Sequence, residues 1–144
     1  MASALLDIVN CLNSPKRDVA LLREAGVSLD RALFPLLVRL GANGSLAVAE
    51  LADQAGRDHT TISRQLAKLE SLDLIERCVG QSDRRRNAAR LTGEGKKIVR
   101  AITAARRRLL SKALAEWSEK DRSAIADLNR RFAATLLAGD REAI

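Results

Sequence analysis

The chain has 144 residues and a mass of 15.7 kDa, enough for one domain with its own core, and 47% of its residues are hydrophobic. A net charge of +7 and a pI near 10.2 point to a polyanionic partner. No run of about 18 apolar residues could span a bilayer, no secretory leader is evident, and Cys11 and Cys78 lack the spacing of a zinc site or a disulfide framework. The chain is therefore read as soluble and cytoplasmic, with no membrane partner.

Only Phe34, Trp117 and Phe132 are aromatic, so the core must be aliphatic, and the Ala, Leu, Arg, Lys and Glu content favours helices. Leu5, Val9 and Leu12 share one face of a short leading helix. Ser14-Pro15 predicts the start of the next, which should stop at Gly26, a residue suited to a left-handed C′ position. Ser28 is read as the cap of a third helix carrying Leu33, Leu36, Leu37 and Leu40. Pro35 inside that pattern either kinks the helix or marks its true beginning.

Two helices then follow with almost nothing between them. Val48, Leu51, Ala52 and Ala55 fall at i, i+3, i+4 and i+7, Gly56-Arg57 turns the chain, and Asp58 caps a helix over His59 to Leu72. In that second helix Ile62, Leu66 and Leu69 form an apolar stripe, with Thr60, Arg64, Lys68 and Ser71 on the opposite side. This spacing is a helix-turn-helix signature. Ile75 to Val79 and Asn87 to Leu91 are predicted as strands of a hairpin whose connection contains Arg84, Arg85 and Arg86. Thr92 should cap a long helix from Gly93 to about Trp117, with Ile98, Ile102, Ala105, Leu109 and Ala113 on one face. Ser118 and Asp121 resemble a capping box for a last helix to about Leu137, with Ile125, Leu128, Phe132 and Leu136 facing inward.

The positive charge is concentrated. Between Arg57 and Arg108 there are 14 Lys/Arg against 6 Asp/Glu, a local +8, while the remainder has 11 against 12, or −1. A helix-turn-helix followed by a hairpin is a winged helix, whose second helix enters the major groove of double-stranded DNA. His59, Thr60, Thr61, Ser63, Arg64 and Lys68 are the candidate contacts on that helix, with its free N–H groups near a phosphate. Exposed ion pairs are worth only about 0–1 kcal/mol, so stability does not account for three adjacent arginines. Attraction of an arginine into the minor groove does.

The stretch LAVAELADQAGRDHTTISRQLAKLESLDLIER and the following SDRRRNAARLTGEG resemble the MarR family of winged-helix transcription regulators, with Asp83, Arg84, Arg85, Leu91, Thr92 and Gly95 matching the wing motif in order. The resemblance extends to Leu114 through Asp121 and so covers essentially the whole chain. It implies a mainly α (α+β) fold, with a winged helix-turn-helix DNA-binding lobe over residues 28–92. Helices from residues 1–27 and 93–144 would form the dimerisation lobe of a homodimer. It further implies that Asp83 braces the wing against Arg77 or Arg84 while Arg85 reaches the minor groove. The expected function is a repressor of a pseudopalindromic operator, released by a small-molecule effector and needing no cofactor. Ala47 departs from the family by standing where a Ser or Thr often caps a helix, leaving Glu50 as half a capping box. The scarcity of aromatics argues against a pocket for flat phenolic effectors.

Other classes have less support in the residues. His59 has no acid and nucleophile beside it, and there is no glycine-rich phosphate loop or metal-ligand cluster, so no enzyme is expected. Cys11 and Cys78 are read as packing residues, although a thiol sensor built on Cys11 is an alternative. An architectural DNA binder without an effector would share every DNA-contact feature.

Overall fold

The computed structural model describes residues 1–78 and 88–142. In chain order these form α1 (Ala2–Leu12), α2 (Pro15–Ala25), α3 (Phe34–Asn43), β1 (Ser45–Ala47), α4 (Val48–Ala55), α5 (His59–Ser71), β2 (Ile75–Arg77), β3 (Ala88–Leu91), α6 (Gly93–Ala113) and α7 (Glu119–Glu142). Two compact units divide the chain after Arg107.

In the first unit, the three strands make an antiparallel sheet of order β1-β3-β2. Leu46 pairs with Ala89 and Ile75 with Leu91, so apolar side chains of all three strands join one core. That core is aliphatic, as the composition requires. Leu36, Leu37 and Leu40 of α3, Leu51 of α4 and Ile62, Leu66 and Leu69 of α5 are fully buried in it. Each such burial contributes about 1.5–3 kcal/mol before the cost of ordering the chain.

Most predicted elements stand where the pattern puts them, and the differences have local causes. β1 has no sequence signal: three residues are too few to show alternation, and its strand character comes from pairing with β3. Ser28 caps nothing. The helix begins at Phe34 with Pro35 in its first turn, and Asp30 Oδ1 accepts the Ala32 N–H at 2.8 Å in the preceding loop. α6 ends at Ala113, because Ala115 N–H donates to Lys112 O and Trp117 N–H to Leu114 O, three-residue closures that tighten the chain into a turn. The predicted strand ends at Val79 and Asn87 lie outside the described residues.

In the second unit, Ser118 Oγ accepts the Asp121 N–H at 3.1 Å and donates to Asp121 Oδ2 at 2.6 Å, so the serine caps α7 as expected. The apolar stripe of α7 does not point into a core. Leu128, Phe132 and Leu136 are 60%, 44% and 55% exposed, and Ile125 is half-buried. Their helical spacing is sound, but the single chain does not cover them. The same holds for Leu5, Val9 and Leu12 of α1, which has no buried residue. Cys11, read as a packing residue, is therefore exposed as well, and Cys78 is half-buried.

The junction of α5, β2 and α6 is fixed by Thr92 and Gly95. Thr92 N–H donates to Leu74 O at 3.1 Å, its hydroxyl donates to Asp73 O at 2.6 Å, and Thr92 Oγ1 also accepts the Gly95 N–H at 3.1 Å. Asp73 takes φ 55° to turn the chain out of α5. Gly95 then lies so close to the Leu74 carbonyl that a Cβ there would overlap it. One hydroxyl thus caps α6 and ties its start to the end of the preceding helix.

Ala47 is the weak cap that its sequence position implies. Its N–H donates to Glu50 Oε2 at 2.7 Å, but alanine has no oxygen to return the bond to the first turn of α4. Its φ of −71° and ψ of 155° suit serine. Ala47→Ser is expected to stabilise the fold by about 1 kcal/mol and raise Tm by roughly 3 °C in a thermal melt. An unchanged or lower Tm would show that the half-box already satisfies this helix end.

Candidate nucleic-acid interface

The candidate site is the outer face of α5, and its placement begins at Gly56. A left-handed φ of 59° there ends α4 and reverses the chain in a few residues, so that α5 packs on α4. Asp58 then starts α5. Its Oδ1 accepts the Thr61 N–H at 2.8 Å and its Oδ2 the Thr61 hydroxyl at 2.6 Å. The Thr61 hydroxyl and then its backbone N–H hold the Asp58 carboxyl below the usual carboxylate range, so it is ionised at neutral pH. The expected phosphate contact through free N–H groups is therefore weakened: the Thr61 N–H is already taken, and the helix start bears a negative charge.

Ile62, Leu66 and Leu69 anchor the inner face of α5 with no exposure. The opposite face presents His59, Thr60, Arg64 and Lys68 to solvent, and Ser63 is half-buried at its border. Thr61 is also half-buried and serves the cap. Arg57 fastens the helix from the side, its Nη1 donating to Gln65 Oε1 at 3.0 Å and to Ala32 O at 3.4 Å. Arg39 joins α3 to the end of α4 through Pro35 O and Gln54 O, each at 3.3 Å.

The surrounding arginines separate by partner. Arg77 Nε meets Glu70 Oε2 at 3.4 Å, and Arg90 Nε meets Glu76 Oε1 at 2.7 Å across the β2–β3 pair. The side chains of Arg64 and Lys68 have no hydrogen-bond or ion-pair partner among the described residues. Two long cations on one exposed face of a firmly packed helix can meet an external anion without breaking any described internal pair. Asp83, Arg84, Arg85 and Arg86 lie outside the described residues. Arg77, one of the two arginines expected to pair with Asp83 beside Arg84, has Glu70 as its described partner.

The sequence reading missed two supports of this site. It makes Thr92 the cap of α6, as observed, but gives Gly95 no physical task beyond its place in a motif, although the Thr-x-x-Gly spacing is the available signal. Glu70, on the polar side of α5, is not among the candidates that the sequence offers, yet it links the end of that helix to β2 through Arg77. Its only sequence signal was an acid seven residues before an arginine.

The sequence model of the MarR family matches residues 28–86. An uncharacterized HTH-type transcriptional regulator, YxaD of Bacillus subtilis (strain 168), is 34% identical over 105 residues, which is 73% of each chain. A MarR family protein from Bacillus stearothermophilus superimposes with a TM-score of 0.80 at 20% identity, covering 94% of this chain and 93% of the other. A Mycobacterium tuberculosis MarR family protein, Rv2887, solved in complex with DNA, has a TM-score of 0.66 at 22% identity, with 90% and 95% covered.

Proposed function

This chain belongs to the MarR family, and from that premise we propose that it is a transcriptional regulator that binds a pseudopalindromic operator as a homodimer. The observation carrying the proposal is α5. Its Ile62–Leu66–Leu69 stripe is locked in the core, while Arg64 and Lys68 stand exposed without a described partner. A helix so held keeps its register when it enters the major groove. Arg64 is assigned to a base edge, with His59, Thr60 and Ser63 beside it, and Lys68 to a phosphate.

On sequence grounds, Arg84 to Arg86 add contacts from the segment between β2 and β3, with Arg85 in the minor groove and Asp83 bracing the segment. Repression with release by a small effector follows the family pattern, and a regulator of this type works in the cytoplasm. Among the described residues no helix is long and apolar enough to cross a membrane.

The test is selection of DNA fragments by the purified protein, followed by fluorescence anisotropy on the selected site and its single-base variants. Arg64→Ala should lose about 1–3 kcal/mol of discrimination at one base position in each half-site. Lys68→Ala should weaken binding to all sequences alike and lower the log–log salt slope by roughly 0.9 per contact removed. If both variants remained as selective as the parent, Arg64 would have no base-reading role. A protein that selected no DNA would end the regulator reading altogether.

A further inference from the structure

A second basic feature lies away from α5. The end of α3, the start of β1, β3 and the first two turns of α6 border an open cleft of about 570 Å³. That volume is within the range of small-molecule sites, roughly 300–1,000 Å³. Half-buried Val99, with the edge of Leu91, gives it an apolar wall, Leu40 lies beneath with no exposed surface, and Arg90, Lys96 and Arg100 supply its charge. α3 approaches α6 closely here because Gly41 has no side chain: a Cβ would meet Val99 Cγ1 at 2.9 Å.

The charges are unbalanced. Glu76 takes the Nε of Arg90, while the side chains of Lys96 and Arg100, one helical turn apart on α6, have no hydrogen-bond or ion-pair partner among the described residues. Like charges gathered around an apolar hollow contribute nothing to folding and are favourable only when an anion is present. A single carboxylate would balance one of the two unpaired cations. A phosphate monoester carries close to two negative charges near neutral pH and has enough acceptors for both the guanidinium fork and the ammonium. A bare phosphate or a DNA backbone would leave the apolar lining unused.

We propose that this cleft binds an organic phosphate, with its dianionic head between Lys96, Arg100 and Arg90 and a small apolar body against Val99 and the edge of Leu91. The ligand would join β3 to α6, coupling the DNA-binding lobe to the long helix. That role as an effector rests on the regulator reading above; the binding itself does not.

Isothermal titration calorimetry of the full chain should compare hexyl phosphate, hexanoate and inorganic phosphate. Hexyl phosphate should bind at least about tenfold more tightly than either of the others. The K96Q/R100Q double variant should lose that binding while keeping the parental melting curve, since neither residue has a structural partner among those described. Equal affinity for hexanoate would overturn the dianionic head, and equal affinity for inorganic phosphate the apolar subsite. An unaltered titration with the double variant would overturn the location. DNA anisotropy with and without hexyl phosphate judges the effector role, and unchanged affinity despite binding would refute it. If the ligand-free protein binds its selected DNA but no organic phosphate, only the cleft proposal fails. If it selects no DNA, the regulator reading fails, and calorimetry alone decides the cleft.

Discussion

Gly95→Ala is expected to destabilise the protein by about 3 kcal/mol or more and lower its melting temperature by roughly 10 °C. The added Cβ would overlap the Leu74 carbonyl oxygen and press on Leu91 Cδ2 at 3.3 Å. A flexible side chain could rotate away, but a carbonyl moves only with its backbone. Leu74 O also accepts the Thr92 N–H, and the neighbouring Asp73 O accepts the Thr92 hydroxyl. Displacing one peptide therefore disturbs the cap of α6, the turn after α5 and the start of β2 together. The Leu74 and Leu91 side chains belong to the buried core, so the damage reaches the packing as well. Gly93→Ala is the control, because nothing lies within 4 Å of a Cβ there. It should melt within about 2 °C of the parent, as surface substitutions usually change stability by no more than 0.5 kcal/mol. Thermal melts followed by circular dichroism decide the matter. Equal melting of both variants would show that the α5–α6 junction has room to relax.

This junction also shows what the sequence disclosed and what it withheld. Helix periodicity, proline and glycine positions and the Asp58 cap located α2, α4 and α5 closely, because each of those signals acts within a few residues of itself. The fold class was legible for the same reason. β1 was not, since Ser45–Ala47 is a strand only by pairing with residues more than 40 positions later. Within the candidate site, the exposed side of α5 could be read from a 3.6-residue period. Which of its cations were already engaged could not: Arg57 and Arg77 differ from Arg64 only through partners brought close by folding. The apolar stripe of α7 was found by its spacing, yet the direction it faces depends on what covers it, and periodicity says nothing of that.

That stripe leads to the expected behaviour of a Leu128→Asp/Phe132→Asp variant: loss of self-association, and with it most of the DNA affinity. Leu128 and Phe132 are 60% and 44% exposed in the single chain, beside Leu136 at 55%, all along one side of α7. Leaving such a row wet is unfavourable, and covering it with a second copy would bury each side chain twice, since a two-fold interface uses the same patch from both chains. At about 1.5–3 kcal/mol per buried Leu or Phe, removing two residues from each copy should raise the dimer dissociation constant at least a thousandfold. Sedimentation at micromolar concentration should then find a monomer in place of the dimer proposed for the parent. The monomer can engage only one half-site at a time. It loses the high effective concentration that a linked second reading helix enjoys, a factor of about 10²–10⁴. Anisotropy on the full operator should report a loss of this order, while affinity for an isolated half-site changes little. Ser123→Asp, off the apolar stripe, should alter neither mass nor affinity. Were the double variant to sediment and bind like its parent, α7 would not be the dimer contact. Another surface, such as the exposed Leu5–Val9–Leu12 face of α1, would then have to hold two copies together.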